Sequence, residues 1–345
     1  MKRNLIALAA AAAFVVPVAN AAPKVYGKLN ISAESMKAET GGVSTEKTQM
    51  TSNASRFGVK GEDELTANLS AIYGIEWEVS AEGDDISGVP SSDGKTAGIT
   101  KGDGTKLDLA QRNRFLGLKH QTLGTIKMGK VDSYLKEAQG KVDLFNDYAG
   151  DMKYTIAAEN RLNNVLAYES PKFMNTEFNV MAQTQDAASA GTSLSIVHNN
   201  DELGLYLALA MDSNVDGKAS TITAGELDTM RLVASYKVAD LTLNALYNTT
   251  ENTVKKEEET AYLVGVAYKM GDVELKAQYS VADNDTNNLT NGKTSQKTLT
   301  SVGADYKLSS KAKVFGWYSM KEQTKVGSTT DTTEDTLGVG IEHKF

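Results

Sequence analysis

The sequence has no cysteine, only 4 prolines and only 3 histidines among its 345 residues. The absence of cysteine excludes disulfides, thiolate zinc sites and cysteine nucleophiles. So few histidines leave little material for a metal or acid–base centre. Because proline is scarce while glycine reaches 29, the turns of this chain have to rely on Gly, Asn and Asp.

Long apolar runs are also missing beyond the first residues. Hydrophobic residues are 41% of the chain and the mean hydropathy is -0.33, which is too polar for a helical membrane bundle with several runs of about 20 apolar residues. The composition is not that of a disordered chain, and the length is enough to bury a core. A net charge of -8 argues against a nucleic-acid binder.

Residues 1–21 read as a secretory signal peptide. Lys2 and Arg3 form a basic start, an apolar stretch follows, and Ala19-Asn20-Ala21 gives a small-x-small cleavage pattern. The alternative, a transmembrane anchor, is disfavoured because the apolar run is too short. We therefore expect residues 22–345 to form a single mature domain. Loss of Lys2 and Arg3 leaves 34 basic residues against 44 acidic ones, a net charge of -10.

The mature chain is dominated by a period of two rather than 3.6. Val273, Leu275 and Ala277 alternate with polar residues, and Leu337, Val339 and further apolar residues do so up to Phe345. A period of two places one face of a strand on an apolar medium and the other on a polar one.

Sixteen segments follow this pattern. They are 25–36, 55–63, 66–81, 110–121, 124–131, 163–170, 177–185, 192–199, 202–210, 228–237, 240–249, 260–269, 272–281, 297–307, 311–321 and 334–345. Most are about 8–12 residues long, and a tilted strand needs about 9–11 residues to cross a bilayer.

The connections between these segments alternate in length. Short connections are predicted at 62–64, 200–201, 238–240, 270–272 and 308–310, and long ones at 37–54, 82–109, 132–162, 211–227, 282–296 and 322–333. Short turns on one side and long loops on the other are typical of outer-membrane barrels. The pattern predicts an all-β chain forming one 16-stranded antiparallel transmembrane β-barrel, with both termini at the short-turn rim. The alternative, a soluble β-sandwich, would normally divide 324 residues into linked domains.

Aromatic residues concentrate near the short turns. They are Tyr168, Tyr236, Tyr268, Tyr306 and Phe345. Each ring is explained equally well by the strand propensity of Tyr, but their shared position near one rim favours a membrane-interface girdle.

Several motifs resemble the general porins of Gram-negative outer membranes. The stretch 55–63 (S-R-F-G-V-K-G-E-D) is similar to a porin S-R-x-G-x-K-G-x-E motif, and 112–119 (R-N-R-F-L-G-L-K) is similar to the family's G-L-K run. The stretch 140–145 (G-K-V-D-L-F) resembles the start of a porin constriction loop, 161–171 resembles a porin strand, and the chain ends in Phe345.

The resemblance implies a homotrimer in the outer membrane that passes small hydrophilic solutes and ions. It further implies an inward-folded constriction loop, contact with outer-membrane lipid and lipopolysaccharide, and recognition of the C-terminal Phe345 by the barrel assembly machinery. No cofactor is expected. A barrel of about 16 strands is also wide enough to leave an aqueous lumen.

A pore selects by its diameter and by fixed charges at its narrowest point. The resemblance places basic wall residues there, and the candidates are Lys28, Arg56, Arg112, Arg114 and Lys60. Strand parity turns Lys28 and Arg56 towards the lumen, opposite their apolar neighbours. Arg112 and Arg114 share a face with Leu116 and Leu118, so the fourth strand has ambiguous parity that a β-bulge would resolve. For each base the alternative is a solvated charge at a strand end.

The acidic candidates lie on the expected constriction loop. They are Asp143, Asp147 and Asp151. The P-E-F-G-G-D loop tip of enterobacterial porins is absent, so the sequence does not decide which of the three carboxylates line the pore.

Enzyme motifs are missing from the sequence, which has no G-x-S-x-G, H-E-x-x-H or Walker motif. We expect a general diffusion channel with a weak cation preference and no enzyme activity. The alternatives are a substrate-selective channel of the same fold, an outer-membrane barrel enzyme, or an adhesin with a plugged lumen.

Overall fold

The computed structural model describes residues 22–81, 99–100, 106–107, 109–184, 191–284, 294–325 and 331–345. The expected signal peptide at 1–21 lies outside these residues, as does most of the connection 82–109, so both remain predictions.

Antiparallel strands make up most of the described chain. They are β1 Lys24–Thr40, β2 in two segments Val43–Ser52 and Arg56–Thr66, β3 Leu69–Val79, β4 Leu109–His120, β5 Gly124–Asp132, β6 Arg161–Glu169, β7 Thr176–Gln183, β8 Thr192–Asn200, β9 Leu205–Gly217, β10 Gly225–Val238, β11 Leu241–Asn252, β12 Glu258–Met270, β13 Val273–Asn284, β14 Thr294–Lys307, β15 Ala312–Lys325 and β16 Thr332–Lys344. A separate two-residue ladder pairs Ile99–Thr100 with Lys106–Leu107.

Helical structure is limited to two turns between β5 and β6. They are α1 at Tyr134–Glu137 and a 3₁₀ turn at Met152–Tyr154. Within the described ranges, no helix has both the length and the apolar character needed to span a membrane.

Strand β1 closes the sheet. Its external half pairs with the first segment of β2 and its other half with the second segment, so these two segments form one barrel strand interrupted at residues 53–55. On its other side β1 pairs with β16, from Lys28 opposite Lys344 to Thr40 opposite Thr332. All the other neighbours pair in chain order. The predicted closed, 16-stranded antiparallel barrel is therefore confirmed.

The outer face of the barrel is apolar and exposed. In β16, Leu337, Val339 and Ile341 are 57%, 59% and 51% exposed, while Thr336, on the opposite face just before them, is only 1% exposed. The same alternation runs through β11 and β13. An apolar surface of this extent is unfavourable in water and is stable only against hydrocarbon.

The rim with the short turns carries both ends of the described chain. Ala67–Asn68 joins β2 to β3 and Gly271–Asp272 joins β12 to β13. The first of these corrects the predicted turn at 62–64, because β2 continues through Glu64 in register with β3. The backbone amides and carbonyls of Gly27 and Phe345 exchange two hydrogen bonds of 3.1 and 3.0 Å at this rim. Tyr236, Tyr268 and Tyr306 lie exposed on the outer face close to the turns, as predicted.

At the opposite rim, two of the predicted long loops are largely strand. The connection 37–54 is almost entirely strand, and β1 turns into β2 through Gly41–Gly42, where φ values of 61° and 79° suit glycine because it has no Cβ. Strands β9 and β10 likewise extend into 211–227. These connections are hairpins that continue the sheet, because backbone pairing satisfies their polar groups as well as water would.

Deleting Phe345 should lower the yield of folded barrel in the outer membrane more strongly than shortening the β1–β2 hairpin at its Gly41–Gly42 turn. The deletion removes two backbone hydrogen bonds at the closure and a rim aromatic ring, whereas the hairpin lies beyond the closure. Heat-dependent mobility of membrane extracts on SDS gels measures the folded fraction. Equal losses for both variants would contradict a special role for the terminal ring.

Candidate pore constriction

The segment between β5 and β6, residues 133–160, packs along the inner wall of the barrel and is called the constriction segment below. Its apolar side chains form one buried cluster with wall residues that alternate with the outer-face row. The cluster contains Leu135, Ala138, Val142, Met152, Ile156, Ala157 and Ala158 of the segment together with Val197, Ala208, Ala210, Val233, Leu246, Ala261, Leu263 and Ala282 of the wall. Burial of this surface holds the segment inside the barrel.

Polar side chains of the wall fix the backbone of the constriction segment. The guanidinium of Arg231, which is 0% exposed, donates to the carbonyls of Leu135 and Ala157 at 3.4 and 2.9 Å and pairs with Glu159 at 2.7 Å. Gln278 donates from Nε2 to Asp143 at 2.9 Å and accepts from the Leu144 amide at 2.8 Å. The start and the end of the segment are thus both held by Arg231.

Asp143 is turned away from the lumen. It is 8% exposed and accepts from the amides of Phe145 and Met152 at 3.1 and 3.0 Å. Burial raises the pKa of Asp143, and the nearby carboxylate of Asp151 raises this pKa further. The carboxyl group therefore shapes the turn of the segment instead of facing solutes.

Asp151 has a similar structural position. It is 3% exposed, caps the 3₁₀ turn by accepting from the Lys153 amide at 2.8 Å, and accepts from the Asp147 amide at 2.9 Å. By sequence, Asp143, Asp147 and Asp151 were equal candidates for the pore lining. The fold buries Asp143 and Asp151, because their carboxylate oxygens accept hydrogen bonds from backbone amides of the tight turn.

Asp147 is the carboxylate that faces the basic wall. It has a φ of 74° and projects from the tip of the constriction segment. Its Oδ2 lies 2.8 Å from Nζ of Lys28 and 3.7 Å from a guanidinium nitrogen of Arg56. Burial alone would raise the pKa of Asp147, but the charges of Lys28 and Arg56 hold this pKa below its usual value. The tip thus contacts β1 and β2 across the lumen through a charged bridge.

Arg112 projects to the same inner face. Its Nε lies 2.5 Å from Glu76 and one terminal nitrogen lies 2.7 Å from Glu78. Both glutamates belong to β3, on the face that alternates with Ile75 and Trp77. Two carboxylates from the wall itself therefore compensate the charge of Arg112.

A β-bulge separates Arg112 from Arg114. The register between β3 and β4 shifts between the pair Ile75–Arg114 and the pair Trp77–Gln111, so Arg114 is paired in the outer row while Arg112 faces inward. The guanidinium of Arg114 donates to Gln111. This bulge explains the ambiguous parity of the fourth strand in the sequence.

Lys60 lies away from the narrow region. It pairs in register with Lys24 near the short-turn rim, is exposed, and its Nζ sits 4.8 Å from the ring centroid of Tyr26. The structure therefore brings together Lys28, Arg56 and Asp147, adds Arg112 alongside them, and leaves Lys60 at the mouth.

Sequence reasoning missed several charged residues of this wall. Arg161 at the start of β6 pairs with Asp132 at 3.1 Å and donates to Asn113 at 2.6 Å. Glu342 lies 3.5 Å from Lys28. Strand parity identifies Glu76 and Glu78 as inward, whereas the pairing of Arg161 with Asp132 depends on a register shift between β5 and β6 that no local pattern reveals.

The tip of the constriction segment is anchored by aromatic packing. Phe145 and Tyr148 pack against Phe315 and Trp317 of β15, and the centroid of Tyr148 is 4.9 Å from that of Trp317. Lys276 lies 4.9 Å from the Phe145 centroid and pairs with Asp305. Among the described residues, no group of three or more His, Asp or Glu side chains could hold a metal ion.

A closed barrel with an apolar belt and a charged, partly narrowed interior defines a transmembrane channel protein. A family model for Gram-negative porins matches residues 7–325. The chain belongs to the Gram-negative porin family, which confirms the resemblance drawn from its motifs and places it in the outer membrane. Porins are channels, so the family agrees with the expectation of a protein without enzyme activity.

Individual relatives agree with this assignment. The major outer membrane protein P.IB of Neisseria sicca is 27% identical, and the alignment covers 100% of both chains. The structure of an anion-selective porin from Comamonas acidovorans has a TM-score of 0.70 at 17% identity, covering 94% of this chain and 99% of that one. The trimer form of OmpT from Vibrio cholerae has a TM-score of 0.64 at 16% identity, covering 94% and 99%. At these identities the structural likeness shows the fold.

Replacing Asp147 with Asn should shift the reversal potential of the channel towards anions. The change leaves Lys28 and Arg56 without their shared carboxylate, which adds uncompensated positive charge to the lumen. Reversal potentials in a low-salt gradient measure the shift. Glu46→Gln, the same charge change on the external β1–β2 hairpin, is the control, and an equal shift in both variants would contradict the position of Asp147 in the pore.

Proposed function

We propose that the chain forms a water-filled channel for passive diffusion of small hydrophilic solutes and ions, with a weak cation preference. The observation that carries this proposal is the bridge from Asp147 to Lys28 and Arg56 across the inside of a closed barrel. The bridge supplies fixed charge of both signs at one level of the lumen. A pore of this kind distinguishes solutes mainly by size and charge.

The expected cation preference follows from how the bases are compensated. Asp147 and Glu342 both lie close to Lys28, and two glutamates hold Arg112. With these bases largely neutralised, the net charge of the mature chain, -10 by sequence, acts on ions that approach the mouth. Carboxylates in water act over about one Debye length, about 8 Å at physiological salt, so the preference is weak and salt-dependent.

The proposed assembly is a homotrimer embedded in outer-membrane lipid and lipopolysaccharide. The exposed apolar belt of the barrel supports a lipid environment. A trimer form is described for the OmpT of Vibrio cholerae, and we extend it to this chain. We further propose that the barrel assembly machinery recognises the end at Phe345.

Chemical cross-linking of the native protein in detergent should give a ladder that ends at three copies. The apolar outer face of each barrel offers a surface for association. Heating before cross-linking is the control, since it should reduce the ladder to single chains. A species that remains a single copy at all cross-linker concentrations would contradict the trimer.

Reversal potentials of the wild-type channel should indicate a weak cation preference that decreases as salt concentration rises. Arg112→Gln should strengthen this preference, because Glu76 and Glu78 then lose their shared cation. Arg56→Gln should act in the same direction by freeing part of the Asp147 charge. Planar-bilayer recordings in low-salt gradients measure both effects.

The control for these variants is Lys47→Gln, an equal charge change at an exposed position of the external β1–β2 hairpin. Clear anion selectivity of the wild type would contradict the proposed preference. Absence of any conductance from folded protein, together with no uptake of sugars by vesicles, would contradict the channel function itself.

A further inference from the structure

The connection between β9 and β10, residues 218–224, folds against the inner wall and is called the external arch below. Thr221 and Ile222 are only 4% and 8% exposed. Ala219 packs against the apolar cluster that contains Ile156 and Ala157 of the constriction segment. The arch therefore rests on the part of the constriction segment that returns to β6.

The backbone of the external arch is bonded on several sides. The amide of Ala158 donates to the Lys218 carbonyl at 3.1 Å, the Thr223 amide donates to Glu257 at 2.6 Å, Asn252 donates to the Thr223 carbonyl at 2.9 Å, and Asn284 donates to the Thr221 carbonyl at 3.2 Å. An external loop in water can satisfy these groups with solvent. Fixed partners from β11, from the turn before β12, from β13 and from the constriction segment give the arch a defined position instead.

Glu259 joins the arch to the constriction segment. Its Oε2 accepts from the Ser220 amide at 3.2 Å, the Thr221 amide at 2.5 Å and the Thr221 hydroxyl at 2.7 Å, while its Oε1 accepts from the Ala157 amide at 3.3 Å. Glu259 is 1% exposed. The charge of Lys297 acts on it from beyond ion-pair distance, and no cation of the described chain lies closer than that. A buried carboxylate is tolerated only when donors compensate its charge, and here the donors belong to two separate segments.

We propose that the external arch is a second constricting element of the channel and that Glu259 is the positioning residue that couples it to the constriction segment. This inference rests on the proposed channel function. Because one carboxylate accepts from both segments, loss of its charge loosens them together. While Glu259 holds the arch in place, the arch limits the passage of solutes on the external side of the charged bridge at Asp147.

Glu259→Gln tests the coupling with little change in size. A glutamine amide group directs its NH₂ donor at the amides of either the arch or Ala157, so part of the hydrogen bonding is lost. Single-channel recordings should show excursions to higher conductance at least about tenfold more often than in wild type, the factor that corresponds to loss of one charge-assisted hydrogen bond. Vesicle uptake of larger neutral sugars should also increase.

Glu258→Gln is the matched control. It removes the same charge from the adjacent position, which is exposed, and it should leave the excursions unchanged. Heat-dependent mobility on SDS gels confirms that both variants are folded. Equal conductance behaviour of the two variants would overturn the proposal.

Thiol labelling follows the two segments directly, because the chain has no cysteine of its own. The reporters are Ile222→Cys in the arch and Ala157→Cys in the constriction segment, whose wild-type residues are 8% and 3% exposed. Each cysteine should react with a maleimide at least about tenfold faster in the Glu259→Gln background than in the Glu258→Gln background. Faster labelling at one site alone would overturn the coupling, and faster labelling with unchanged conductance would overturn the constricting role of the arch.

Glu257→Gln is a further arm of the experiment, because it perturbs the arch without changing Glu259. It weakens the arch at its bond to the Thr223 amide, and faster labelling at Ala157→Cys in this background is the result expected from coupling. The labelling rates do not depend on conduction. If the wild type conducts nothing, the proposed function fails, while the labelling still decides whether Glu259 couples the segments.

Discussion

Every backbone amide and carbonyl that meets hydrocarbon must find its partner within the protein, and the architecture follows from this constraint. A sheet can meet it only by closing on itself, which here depends on β1 pairing with β2 on one side and with β16 on the other. The alternation of apolar and polar side chains along each strand follows from closure, because one face of the sheet then meets lipid and the other face meets the lumen. The two backbone hydrogen bonds between Gly27 and Phe345 complete the ladder at its rim.

The interior of the barrel is not uniformly polar. An apolar patch on the inner wall from β8 to β13 has its counterpart in the apolar side chains of the constriction segment, so burial of these surfaces against each other fixes the segment. The charged tip then reaches β1 and β2, where Asp147 meets Lys28 and Arg56. Apolar packing thus lies along the sides of the segment and charge lies at its tip.

Neutralisation of the wall bases is the second feature of the lumen. Arg112 is held by Glu76 and Glu78, and Arg161 by Asp132, so opposite charges lie side by side on the wall. Such pairs order the side chains while leaving little net charge. The wall here therefore carries local dipoles rather than charge of one sign.

Local patterns along the chain were enough to predict the class of fold, the number of strands, the side of the termini and the inward direction of Lys28 and Arg56, because a period of two and turn spacing are local properties. The remaining features depend on contacts between parts of the chain that are distant in sequence. The bulge that separates Arg112 from Arg114 depends on cross-strand register. The burial of Asp143 and Asp151 depends on a turn whose amides donate to both carboxylates, and on Gln278 of β13, which donates to Asp143. The acids that neutralise Arg112 lie on a different strand from Arg112. The donors to Glu259 likewise lie far from Glu259 in the sequence. They meet only when the sheet closes and the segments fold inward, since long-range pairing leaves no mark on local periodicity.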